Sequence, residues 1–145
     1  MPRLHLSLTV KDLDRSVGFY TRLFKAEPVV LESDYAKWSL DAPSVNFSIS
    51  SRGENYGVDH VGLEAGSEDE LAELRERLVA ADQPIFDQEC TTCCYAKSKK
   101  AWVRDPDGVA WETFFSHGRS AEYGDGTLDE ARLAGKTKSA CCAPA

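Results

Sequence analysis

Residues 3–10 alternate apolar and polar positions. Leu4, Leu6, Leu8 and Val10 share one face at a period of two, which predicts a strand. Asp12 follows as a helix N-cap, and Leu13, Val17, Tyr20 and Phe24 recur at helical spacing, predicting an amphipathic helix of about three turns. Three short strand-like runs come next, near 28–32, 35–40 and 45–50. Asp-Ala-Pro-Ser at 41–44 reads as a turn, and Ser-Arg-Gly-Glu-Asn at 51–55 as a linker.

The pattern then restarts. Asp-His-Val-Gly-Leu at 59–63 matches Leu-His-Leu-Ser-Leu at 4–8, and His60 lies 55 residues after His5. The same offset carries the cap Asp12 onto Ser67, which with Glu70 makes a capping box ahead of the apolar stripe Leu71, Leu74 and Leu78. A strand, a histidine and a helix cap at one offset indicate an internal repeat of two units. In the second unit the path from His60 to the last strand, Val109–Phe115, is longer than its counterpart by about ten residues, judged by the repeat register. The surplus falls around Thr91–Lys100, beside the cysteines, and an insertion of this kind is expected to form a loop on the functional face. Beyond His117 the chain turns to Gly, Ser, Ala and charge, so residues 118–145 are expected to be a mobile tail.

Composition narrows the possibilities. At 145 residues the chain suits one domain with its own core, and its 42% hydrophobic and 28% charged content is ordinary for a globular protein. A net charge of −7 argues against a nucleic-acid partner, which needs a basic stripe; Lys97, Lys99 and Lys100 are too local to supply one. No apolar run reaches membrane-spanning length, and the N-terminus reads as a strand rather than a signal peptide, so the expected address is cytoplasmic.

Two histidines at equivalent strand positions can face each other across a pseudo-symmetric sheet. Glu112 enters a third strand just after the turn Asp105-Pro-Asp-Gly108. Two imidazoles and one carboxylate make a ligand set that leaves coordination positions open and favours Fe(II) with O2 as co-substrate. A single strand histidine is usually a surface or satisfied core residue; the coincidence of His5, His60 and Glu112 is what makes them candidate catalytic and metal ligands. His117 has no such support and is read as structural or surface.

The five cysteines are Cys90, Cys93, Cys94, Cys141 and Cys142. Adjacent pairs make poor long-range staples, and in a reducing compartment they are better read as ligands for a soft metal or metalloid. Neighbours in a strand point to opposite faces, so Cys93 and Cys94 converge on one atom only from a loop or bend. The nearby lysines favour the thiolate form. Cys90-Thr-Thr-Cys93 also fits a redox or zinc half-site, without a second pair at finger-like spacing in the body. Trp102 and Trp111 are expected in the core or a pocket wall.

The repeat, its two histidines and the segment Asp-Pro-Asp-Gly-Val-Ala-Trp-Glu resemble the vicinal oxygen chelate superfamily of glyoxalase I, extradiol dioxygenases and bleomycin-resistance proteins. The resemblance covers residues 3–116. It implies an α+β fold over residues 1–117: two βαβββ modules, about 3–51 and 57–116, forming a pseudo-symmetric curved mixed sheet around a central metal cleft. In glyoxalase I a fourth ligand comes from the strand corresponding to 45–49, which here reads Val-Asn-Phe-Ser-Ile and lacks a carboxylate. A three-ligand site with room for oxygen and substrate is therefore implied.

Together with that fold, the segment Cys-Thr-Thr-Cys-Cys-Tyr-Ala-Lys-Ser resembles the organoarsenical carbon–arsenic lyases, a branch often described as cadmium-induced protein. The resemblance implies Cys93 and Cys94 as the arsenic-binding pair, with Cys90, Cys141 and Cys142 as auxiliary thiols. It implies a cytoplasmic Fe(II) dioxygenase acting on a small trivalent methyl- or aryl-arsenical, and a homodimer is compatible with it. Two alternatives stay open: a non-enzymatic protein that sequesters cadmium or arsenic, and a glyoxalase- or extradiol-type enzyme on a small organic substrate.

Overall fold

The computed structural model describes residues 1–93 and 96–119, and their side chains except those of 89–93, 96–97 and 118–119. The chain divides into two units, Arg3–Val61 and a second that runs from Gly62 onward and includes Met1–Pro2. Each carries strands and one helix, as the α+β reading expects.

The first unit contains β1 (Arg3–Thr9), α1 (Leu13–Phe24), β2 (Val30–Leu31), β3 (Tyr35–Asp41), β4 (Ser44–Ser50) and the first half of β5 (Gly57–Glu64). Its strands run in the order β2-β3-β4-β1-β5. β1 pairs parallel with β4, and β4 antiparallel with β3. Asp12 caps α1 by accepting from the Arg15 backbone N–H at 3.0 Å, and Lys25 closes it in the left-handed region. The helix packs its apolar stripe on one face of these strands. Leu13, Ala36, Trp38, Phe47 and Ile49 form the buried core, with Leu6, Leu8, Val10, Val17, Tyr20 and Phe24 against it. The buried Trp38 indole N–H is satisfied by the Ala26 carbonyl at 2.9 Å.

One expectation from the alternation needs correcting. Leu4 is half exposed, whereas the polar side of β1 is the buried one: His5, Ser7 and Thr9 all lie inside. The register explains this, because each faces a polar β4 residue, pairing His5 with Asn46, Ser7 with Ser48 and Thr9 with Ser50. The Ser48 hydroxyl donates to Ser7 Oγ at 3.2 Å. Paired hydroxyls and amides lower the cost of burying a polar face that the apolar pattern alone assigns to solvent.

The second unit takes the rest of β5, then α2 (Glu68–Ala80), β6 (Phe86–Cys93), β7 (Ala96–Arg104) and β8 (Ala110–Arg119), with strand order β5-β8-β7-β6. Ser67 caps α2 by accepting from the Glu70 N–H at 3.1 Å, and the Glu70 carboxylate reaches back to the Gly66 N–H at 2.7 Å. This is a capping box displaced by one residue at its returning bond. Glu70 also pairs with the Met1 ammonium at 3.0 Å. The Gly66 and Met1 donors hold its carboxyl below the ordinary glutamate range.

On either side of Cys94 and Tyr95, which lie outside the described residues, the surplus is strand rather than loop: Thr91–Cys93 belongs to β6 and Ala96–Lys100 to β7. It lengthens a hairpin, with β6 and β7 paired antiparallel from Phe86↔Trp102 out to Cys93↔Ala96. Ala96–Arg104 shows no period-two alternation that would have predicted a strand, and the expectation of a loop rested on the length mismatch alone. A shift in register between Gln88 and Thr91 marks a bulge in β6, and another between Lys97 and Ser98 leaves His117 as the extra residue of β8. No helix among the described residues is long and apolar enough to cross a membrane.

Candidate metal centre

His5 sits mid-strand on β1 with its ring buried. Its Nδ1 lies 3.1 Å from the Asn46 backbone carbonyl and 3.3 Å from Asn46 Oδ1. His60, on β5, sets Nδ1 2.6 Å from an oxygen of the Asp59 carboxylate. A carbonyl and a carboxylate only accept, so each Nδ1 carries a proton, and in the neutral imidazole Nε2 then presents its lone pair. The two Nε2 atoms are 3.1 Å apart, with ring centroids at 5.1 Å. Two lone pairs at that distance repel unless a cation stands between them. Ligand bonds of about 2.1 Å at a right angle would separate two nitrogens by about 3.0 Å, so the spacing fits two imidazoles on one metal ion. Nδ1 protons held by a carbonyl and a carboxylate are the usual outer partners of ligating histidines.

Asn46 and Asp59 escaped the sequence reading. Asn46 had one available signal, an amide inside the otherwise apolar and hydroxyl-bearing run Val-Asn-Phe-Ser-Ile. Asp59 had none, because strand neighbours point to opposite faces and adjacency to His60 does not imply contact.

In the second unit, the turn Asp105–Gly108 aims β8. The Asp105 carboxylate accepts from the Asp107 and Val109 N–H groups, each at 2.9 Å, and Gly108 takes φ +90, a region open to glycine at no cost. Four residues on, Glu112 is buried opposite Trp102 on β7. Its Oε1 accepts from the Lys100 ammonium at 2.5 Å, with both side chains about 5% exposed. Gly62 of β5 lies directly against the Glu112 backbone: a Cβ built there would stand 2.2 Å from its carbonyl oxygen.

Of the lysines near the thiols, the Lys97 side chain lies outside the described residues. Lys100 serves Glu112, and Lys99 pairs with Glu68 at 3.2 Å. Trp102 is in the core, as expected, and donates its indole N–H to Gln88 Oε1 at 3.0 Å. His117 is exposed, its ring edge-on to Phe115 and its Nδ1 3.8 Å from a Glu68 oxygen.

Of the cysteines, Cys93 ends β6 opposite Ala96, and Cys90 lies in the same strand; the side chains of both fall outside the described residues. Cys94, Cys141 and Cys142 also lie outside them, as does all of the expected 118–145 tail except residues 118–119, which end β8. Six residues of β7 separate Ala96 from Trp102, the partner of Glu112. At about 3.3 Å per residue this is roughly 20 Å of strand.

These features define a class. Residues 3–113 match the Glyoxalase/Bleomycin resistance protein/Dioxygenase superfamily, and the chain belongs to it. Among curated relatives, the "Trivalent organoarsenical cleaving enzyme" of Bacillus sp. (strain MD1) is 41% identical over 121 residues, covering 80% of this chain and 74% of the relative. The "Cadmium-induced protein CadI" of Mycobacterium bovis is 33% identical over 147 residues, 98% of this chain and 93% of that one. Among solved structures, homoprotocatechuate 2,3-dioxygenase from Arthrobacter globiformis superimposes with a TM-score of 0.61 at 16% identity. That match covers 85% of this chain and 38% of the longer dioxygenase, and it speaks for the fold alone.

Proposed function

We propose that the protein is an Fe(II)-dependent dioxygenase that cleaves the carbon–arsenic bond of trivalent organoarsenicals, with His5, His60 and Glu112 as the metal ligands. The observation that carries the metal is the pair of Nε2 lone pairs 3.1 Å apart, each imidazole oriented from behind by an acceptor. Glu112 is read as the third donor, the carboxylate that completes a set of two imidazoles and one carboxylate. The name of the Bacillus relative supports arsenic as the target.

Bound by two imidazoles and one carboxylate, Fe(II) would supply the redox chemistry that dioxygen requires. The remaining work belongs to the chain. Asn46 and Asp59 fix the orientation of the two imidazoles, and Lys100 holds one oxygen of Glu112. The Cys93 and Cys94 thiols take the two exchangeable As–OH positions of the arsenical as As–S bonds, each thiol proton leaving with a hydroxide as water, and the As–C bond stays intact for oxidation. Arsenite and an oxidised organic fragment are the products. Because Cys93 stands roughly 20 Å of strand from Glu112, delivery of the arsenical requires the β6–β7 hairpin to bend toward the ligands. The reading carries with it a cytoplasmic protein whose partner is a small molecule rather than nucleic acid.

The same separation favours a second reading, in which the thiols sequester cadmium or arsenic without turnover. Anaerobic Fe(II) reconstitution followed by methyl- or phenylarsonous acid, with and without O2, decides between them. Oxygen-dependent arsenite that disappears in His60→Ala supports the lyase. Stoichiometric capture with no new arsenic species overturns it in favour of sequestration.

A further inference from the structure

Lys100 is a buried ammonium in direct contact with one proposed ligand, Glu112, and it is not free to leave. Trp102 lies two residues along β7, and the Lys100 Nζ is 5.7 Å from the centre of its ring. The Trp102 indole is in turn tied to Gln88, which pairs with Lys100 across β6 and β7. All four side chains are buried. The ammonium is thus held beside Glu112 by a cation–π contact as well as by the ion pair.

We propose that Lys100 is the resident counter-cation of Glu112, acting on the site through that carboxylate: it balances its charge in the metal-free protein and thereby lowers the affinity of the site for divalent ions. The inference rests on the metal reading above. Its physical basis is competition for one charge. A carboxylate oxygen already engaged by an ammonium has less charge to give a metal, and the incoming ion is repelled by the ammonium as well. Removing the ammonium abolishes that competition. A hydrogen bond to a charged group is strong enough for its loss to change a binding constant about tenfold or more. A residue that only filled space would have no such effect, and one needed to place Glu112 would have the opposite effect.

The test is a titration of the metal-free, full-length protein with Mn(II), a hard ion with little preference for thiolates, following the EPR signal of the unbound ion. Lys100→Met is expected to bind Mn(II) about tenfold more tightly than wild type while its metal-free form melts at a lower temperature. Lys100→Arg, which keeps the charge, is expected to return to the wild-type affinity. Equal or weaker binding by Lys100→Met overturns the inference and leaves the metal reading standing. Failure of the wild type itself to bind Mn(II) or Fe(II) overturns both. If Lys100→Met folds only when grown with metal, release of Mn(II) from the loaded protein to excess chelator replaces the titration. Slower release than wild type supports the counter-cation, and equal or faster release overturns it.

Discussion

Gly62→Ala is the smallest change that tests whether the ligand geometry depends on backbone packing. The added Cβ would meet the Glu112 carbonyl oxygen at 2.2 Å, its carbonyl carbon at 3.1 Å and its Cβ at 3.2 Å, where ordinary contact begins near 3.4 Å. Two of the three obstacles are backbone atoms of a central strand, so no rotamer change relieves them. β5 and β8 must separate by about 1 Å at this point, and the overpacking is expected to cost about 1–3 kcal/mol. Displacement of Glu112 by about that distance should also weaken metal binding, since ligand bonds tolerate only about 0.2 Å. Gly18→Ala is the control. Its Cβ would find only the flexible Arg22 guanidinium, at 3.8 Å, and relief of a helix-interior glycine should stabilise by roughly 0.5–1 kcal/mol. Urea unfolding of both variants, with Mn(II) titration of each, makes the comparison. Gly62→Ala with wild-type stability and wild-type affinity would refute the packing argument.

Three further outcomes follow from the same geometry. Asp59→Ala removes the acceptor behind His60 and is expected to weaken metal binding by about 10–100-fold with little loss of stability; an unchanged metal titration would mean that Asp59 does not orient the ring. Glu70 titrates below its ordinary range, so its contribution to stability is complete above that range and is lost as pH falls through its depressed value. Glu70→Gln should flatten the acid limb of the stability–pH curve, read by denaturant unfolding at a series of pH values, and an unaltered limb would contradict the role of the Gly66 and Met1 contacts. Replacing Cys93 and Cys94 together by serine should abolish arsenite release while leaving Mn(II) affinity within twofold or so of wild type; retained turnover would remove the thiols from the reaction.

Sequence periodicity and repeat register together located much of this architecture. The period-two run of 3–10, the helical spacing of Leu13, Val17, Tyr20 and Phe24 and the two N-caps are local signals, set by neighbours within a few residues, and the elements formed where those signals lay. The repeat placed His5 and His60 on equivalent strands because an offset of 55 is a property of the chain itself. What required tertiary structure were the contacts made across strands. No spacing along Ala96–Arg104 distinguishes Lys100, buried on Glu112, from Lys99, exposed on Glu68; the β7–β8 register and the α2 packing decide between them. The burial of His5, Ser7 and Thr9 likewise depended on β4 presenting Asn46, Ser48 and Ser50 to them. The sequence by itself supplied the candidate donors, since donor atoms belong to side chains. Only the fold decided which donors are oriented, paired or buried, because those properties arise between strands that the chain order keeps far apart.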